Sequence, residues 1–177
     1  SPFTGDASGE FLYPALYRAG FANRPEAVRR DDGLKLKDIY ITAVARCAPP
    51  ANKPTPAELD NCEPFLRREI DAIRPRVFVC LGRIAFERLL RTFGLRDPGM
   101  EFAHGALYPL QPGARRDDAW LRRGEHWLLC SYHPSRQNTQ TGRLTAPMFD
   151  AIWARARALA EGAQAPLMPP EAQGGRA

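Results

Sequence analysis

Three short apolar runs, 38–45, 77–81 and 127–131, are the strongest constraint on what this chain can fold into. Runs of that length without polar alternation suit strands buried on both faces. Helical patterns lie around and between them. Thr55-Pro56-Ala57-Glu58 supplies an N-cap, a proline at the first helical position and a capping-box acid, so a helix is predicted from there to about Ile73, ending before Pro75. Arg83–Thr92 follows the second run directly and has Gly94 to cap it, and an amphipathic helix is predicted over Ala146–Ala160. Near the start, Gly9–Ala19 places Phe11, Leu12, Ala15, Leu16 and Ala19 on one face, but Pro14 limits the predicted helix to its first turn. The stretch Glu101–Glu125 reads as a short hairpin with a solvated loop. Strands alternating with helices indicate an α/β fold, a parallel sheet covered on both faces. Such sheets place their sites at the carboxyl ends of the strands, where Arg46-Cys47 and Tyr132-His133 fall.

At 177 residues the chain suits one domain, expected over 1–163, with 164–177, rich in Pro, Gly and Ala, expected as a disordered tail. A formal charge of +5, carried mostly by arginine, favours a polyanionic partner. No run approaches the roughly 18 apolar residues of a membrane span, and no signal-peptide pattern is present, so a cytoplasmic, nucleoid-associated monomer is expected. The chain lacks an initiator Met and opens inside what reads as a functional loop, so N-terminal sequence is expected to be missing.

Several residues could carry chemistry, each with a plainer role beside it. Asp6 stands in a Gly-bounded loop before a helical run, as a helix cap or as a catalytic carboxylate holding water; Phe3 is then a core aromatic or a stacking ring. His133 follows a buried run and precedes a proline, a position for a backbone-bonded histidine or for a donor. Its sequel Arg136, Gln137, Asn138, Gln140 and Arg143 has hydrogen-bond formers without apolar anchors, which suits a nucleic-acid groove. Asn52 and Lys53 lie in a loop stiffened by Pro49, Pro50 and Pro54, as turn residues or as groups held still near a reacting centre. Cys80 and Cys130 sit inside buried runs and read as small core residues. Cys47 and Cys62 read either as free thiols or as part of a ligand set that needs four members. No nucleophile elbow of a small-molecule hydrolase is present.

Taken together, these residues resemble the iron–sulfur uracil-DNA glycosylases, most closely the family 5 (type B) branch. The matches are Pro-Phe-Thr-Gly-Asp at 2–6, the run from Ile41-Thr42-Ala43 through Arg46-Cys47-Ala48-Pro49-Pro50 to Asn52, and His133-Pro134-Ser135-Arg136-Gln137-Asn138-Thr139-Gln140-Thr141-Gly142. The resemblance implies an α/β/α sandwich around a four-stranded parallel sheet, its first strand missing from this chain. It also implies a 4Fe–4S cluster with Cys47 and Cys62 as two ligands and two more in the missing segment. By the same resemblance Asp6 is the catalytic carboxylate, Asn52 a supporting polar group, His133 the donor to the base carbonyl and Phe3 the stacking ring. Ala43 stands where family 4 enzymes carry an asparagine that reads the uracil edge, which implies relaxed choice among uracil, hypoxanthine and xanthine. The expected function is hydrolytic excision of deaminated bases from DNA, with Lys53, Arg136, Gln137, Asn138, Gln140 and Arg143 on the DNA. The competing expectation is a DNA-damage-binding module without catalysis.

Overall fold

The computed structural model describes residues 6–29, 31–45, 53–95, 99–112 and 116–162. Among the described residues five helices and three strands follow in the order α1 (Ala7–Arg18), α2 (Pro56–Ile73), β1 (Val77–Leu81), α3 (Arg83–Phe93), β2 (Leu107–Pro109), β3 (Trp127–Ser131), α4 (Arg136–Gln140) and α5 (Ala146–Ala160), with a 3-10 turn at Arg116–Arg122 before β3. The class is α/β, as the sequence predicts. Strand β3 lies between β1 and β2; β1 runs parallel to it, with Val77 opposite Trp127 and Cys80 opposite Cys130. Strand β2 is antiparallel, with Leu107 opposite Leu129. It forms a hairpin with β3 as Glu101–Glu125 predicts, but the connection is not solvated throughout, because Asp118, Trp120 and Leu121 are buried in it.

Both faces of the sheet are covered, and β3 shows why its sequence is apolar without alternation. Leu129 joins a core with Leu12, Leu16, Phe149, Ile152 and Trp153 of α1 and α5. Its neighbours Leu128 and Cys130 point the other way, into a core with Leu66, Ile70, Phe86, Leu89 and Phe93 of α2 and α3. Successive strand side chains alternate faces, so a central strand packed on both sides must be apolar at every position. Burying each leucine contributes about 1.5–3 kcal/mol relative to leaving it exposed.

Two predicted elements differ. Helix α1 runs past Pro14 to Arg18, because Leu12, Tyr13, Ala15 and Leu16 are almost fully buried and their packing outweighs the one hydrogen bond a proline removes. The run 38–45 is not a strand. It finds no strand partner among the described residues and begins at Asp38 with a left-handed φ of 60°. Its polar side chains turn to α2 instead: Tyr40 Oη donates to Glu69 Oε1 at 3.1 Å, and the Thr42 hydroxyl bonds the other oxygen of the same carboxylate. Between this run and the outer edge of β1 lies a cavity of about 790 Å³, which runs from Arg76 and Ala160 at one end to Leu81, Ile84 and His133 at the other.

Candidate active site

His133 stands two residues beyond the end of β3, and local chemistry fixes its backbone from several sides. The Asn138 side-chain amide donates to the His133 carbonyl at 2.9 Å, and the Asn138 backbone N–H donates to Ser135 Oγ, the N-cap of α4, at 3.2 Å. Below it, Gly82 joins β1 to α3 at φ 96° and ψ 162°, and its N–H donates to the Ser131 carbonyl at 2.8 Å. A Cβ on Gly82 would lie 3.3 Å from His133 Cβ, so the close approach of the two strand ends needs glycine there. Burial lowers the pKa of the His133 imidazole, and the Coulombic attraction of the Asp6 carboxylate opposes that shift. The neutral ring is thus favoured by its surroundings.

Asp6 comes from the other end of the sequence. It is the N-cap of α1, with Oδ1 accepting from the Gly9 N–H at 2.7 Å, and helix α1 packs against α4. The plain role read from the sequence is therefore real, and it fixes the carboxylate while the charge acts on His133. The two functions are compatible: an N-cap uses one oxygen and is aimed by the helix it caps.

The remaining sequence-derived positions divide clearly. Ala43 and His133 line the same cavity, together with Leu81 and Ile84. Arg136, Gln137 and Gln140 are exposed on α4, whereas Asn138 is half-buried and commits its side-chain nitrogen to His133. Arg143 is exposed and holds its guanidinium 4.7 Å from the centre of the Tyr132 ring. Lys53 is exposed ahead of α2. Phe3, Arg46, Cys47 and Asn52 lie outside the described residues, as does the expected tail 164–177.

Among the described cysteines, Cys80 and Cys130 are core residues, as expected. Burial pushes the Cys130 thiol up to about 12 and the Cys80 thiol well above its ordinary value, so neither is disposed to become a thiolate ligand. Cys62 is half-buried on α2 and is the described thiol suited to a ligand set. Among the described residues no group of three or more His, Cys, Asp or Glu side chains could hold a metal ion. The described thiols therefore fit an iron–sulfur cluster only through Cys62.

One site residue escaped sequence reasoning. His104 lies in the turn before β2, half-buried, and its Nδ1 accepts the Tyr132 backbone N–H at 3.0 Å. A His-Gly pair ahead of a short apolar segment was the only signal. The third histidine, His126, lies 2.9 Å through Nδ1 from the Pro75 carbonyl, far from this group in the fold of the sheet, at the opposite end of β3.

The arrangement is that of an α/β protein with a site over the carboxyl ends of two parallel strands, built from a helix-capping carboxylate and a half-buried histidine whose surroundings favour the neutral ring, lining a large apolar cavity. The family model described as the uracil DNA glycosylase superfamily matches residues 1–157, and the chain belongs to that superfamily, in its type-5 branch. It is 52% identical over 160 residues to a type-5 uracil-DNA glycosylase of Thermus thermophilus, an alignment that covers 90% of this chain and 67% of the relative. A type-5 uracil-DNA glycosylase of Pyrobaculum aerophilum is 40% identical over 156 residues, covering 88% and 62%. One from Mycobacterium tuberculosis is 45% identical over 161 residues, covering 89% and 56%. The chain thus spans between about half and two thirds of the length of these relatives. No helix among the described residues is long and apolar enough to cross a membrane.

Proposed function

We propose that this chain carries the catalytic site of a DNA glycosylase that removes uracil, and with it hypoxanthine and xanthine, from DNA by hydrolysis, the opening step of base excision repair. The observation that carries the reading is that a chain of this superfamily places Asp6, the cap of α1, where its charge acts on His133 beyond β3, with α1 packed against α4. A module that only bound DNA could cap α1 with an uncharged asparagine equally well, so the negative charge is what the catalytic reading explains.

The chemistry follows from the charges that form. A damaged nucleotide is rotated out of the stack at a cost of a few kcal/mol. Stacking on an aromatic ring, here assigned to Phe3, returns ~1–3 kcal/mol. As the bond from C1′ to the base nitrogen breaks, positive charge grows on the sugar and negative charge on the departing base. Asp6 faces the first and orients the water whose oxygen bonds to C1′; the water's second proton passes to the site and solvent, and the base leaves with the bonding pair. His133, kept neutral by burial, donates its N–H to the base oxygen as that oxygen gains charge. Asn52 supports the water or the base. Ala43, on the cavity wall, offers no side-chain hydrogen bond to the base edge, so a base that leaves as a stable anion and fits is accepted. Lys53, Arg136, Gln137, Asn138, Gln140 and Arg143 are assigned to DNA contacts, with the arginines and lysine on phosphates, which would make binding weaken with salt. Cys47 and Cys62 are assigned as two thiolate ligands of a 4Fe–4S cluster; when bound, that group would supply a covalent tie between the segment that precedes α2 in sequence and α2 itself.

The test is incubation with duplex oligonucleotides carrying one uracil, hypoxanthine or xanthine, followed by alkaline cleavage of abasic sites. Asn caps helices about as well as Asp, so Asp6→Asn keeps α1 intact while removing the charge. Excision by the parent and a loss of about 100-fold or more in Asp6→Asn are expected. Binding without excision by the parent would leave a damage-binding module instead.

A further inference from the structure

The backbone hydrogen bonds of β3 continue one step past the end of β2, and the last acceptor is a side chain. The Cys130 N–H donates to the Ala106 carbonyl at 2.9 Å, as an antiparallel ladder requires. The next N–H on that side belongs to Tyr132, and it donates to Nδ1 of His104 at 3.0 Å. Gly105, at φ 80°, turns the chain between these two rungs and is itself held at both ends. Its N–H donates to the Cys130 carbonyl at 2.8 Å, and its carbonyl accepts from Arg155 Nη1 of α5 at 3.2 Å. Burial lowers the pKa of His104, opposed by the Met148 backbone on α5. Because Nδ1 accepts from the Tyr132 N–H, the neutral ring carries its proton on Nε2. The rings of His104 and Tyr132 lie 4.9 Å apart at a 33° tilt, and Arg143 covers Tyr132.

We propose that His104 is a positioning residue for His133: by accepting the Tyr132 N–H it extends the β2–β3 ladder and fixes the Ser131–Tyr132 peptide, one residue before the Cα that carries the His133 side chain. Three restraints then meet on the two residues after β3. His104 holds the N–H before His133, Asn138 holds the carbonyl after its Cα, and Gly82 sets how close the ring may come. With His104 gone, the Tyr132 N–H loses its acceptor and the ladder ends one rung earlier, before His133. The effect on reaction rate rests on the proposed function; the effect on His133's placement does not.

Two substitutions separate the acceptor from the ring. His104→Asn keeps an oxygen near the place of Nδ1, whereas His104→Phe keeps an aromatic ring against Tyr132 and has no acceptor. Amide exchange at Tyr132 and the imidazole resonances of His133 are read by NMR, with a melting curve on each variant. In His104→Phe, exchange at Tyr132 should speed at least tenfold and the His133 resonances should move; His104→Asn should restore both most of the way. Single-turnover excision of uracil should slow at least tenfold in the Phe variant, with affinity for the duplex within twofold of the parent. If the Phe ring is not accommodated and the variant does not fold, His104→Ala takes its place. Unmoved His133 resonances, or unchanged exchange at Tyr132, in an acceptor-free variant that folds would overturn the proposal. So would equal losses in the Asn and Phe variants. A parent that excises no uracil would count against the proposed function, and the NMR measurements would still decide the role of His104.

Discussion

Gly82→Ala probes the closest approach in the site. At φ 96° and ψ 162° the residue occupies a region essentially reserved for glycine, where another residue costs about 1–3 kcal/mol. The new methyl would also lie 3.3 Å from His133 Cβ and 3.8 Å from its Cδ2, so the histidine must give by a few tenths of an ångström. The sum is about 2–3 kcal/mol, which for a domain of this size lowers the melting temperature by roughly 4–12 °C. Gly94→Ala is the matched control. Gly94 caps α3 at φ 68° and ψ 22°, and nothing lies within 4 Å of an added Cβ, so it costs only the left-handed backbone, about 1 kcal/mol or 2–4 °C. Thermal unfolding followed by circular dichroism gives the two shifts, and the His133 imidazole resonances report the local effect. Those resonances should move in Gly82→Ala and stay in Gly94→Ala. A Gly82→Ala protein that melts within 2 °C of the parent, or above Gly94→Ala, would refute the reasoning.

Further outcomes follow from the same geometry. Asn138→Ala removes the donor to the His133 carbonyl and should cost about 1 kcal/mol, while Asn138→Asp sets a carboxylate oxygen against that carbonyl and should cost more; urea unfolding that ranks them the other way would count against the bond. Alkylation at pH 8, mapped by mass spectrometry, should leave Cys80 and Cys130 unmodified in the native protein and label them only in denaturant, since burial raises both thiols; native labelling of either would contradict their burial. His104 and His133 both have folded pKa values below the ordinary 6.5, chiefly through burial, opposed at His104 by the Met148 carbonyl and at His133 by Asp6. The unfolded chain therefore takes up protons first, and stability present above pH 6.5 is lost as pH falls through that value toward the folded pKa values. The urea midpoint should decline from pH 7 to pH 5, before the carboxylates titrate, and a rise over that interval would reverse the assignment of the shifts.

Where the sequence carried its own punctuation, the fold could be read closely. Thr55, Pro56 and Glu58 mark the start of α2, Gly94 caps α3, and β1 and β3 coincide with their apolar runs, because each signal acts through the backbone beside it. What depended on distant partners was less visible. The run 38–45 has strand chemistry, but a strand is made by a neighbour, and none pairs with it among the described residues. Helix α1 survives Pro14 because its apolar face is buried in the core it shares with β3 and α5, which no local pattern reveals. In the site, Asp6 could be read as a cap and His133 as a strand-end histidine, yet their coupling spans nearly the whole described chain and came into view only through the resemblance. His104 was passed over because its significance lies in the ring replacing a backbone carbonyl at the end of a ladder, a matter of register that composition does not carry.

The central claim is that Asp6 and His133 act on one reacting nucleotide from one site, and a double-mutant cycle on excision tests it. Single-turnover removal of uracil from a duplex is measured for the parent, Asp6→Asn, His133→Ala and the double variant. Groups that serve a single transition state are strongly non-additive, so the double variant should lose little more than the worse single one. Losses that multiply would mean two independent contributions and would contradict the account.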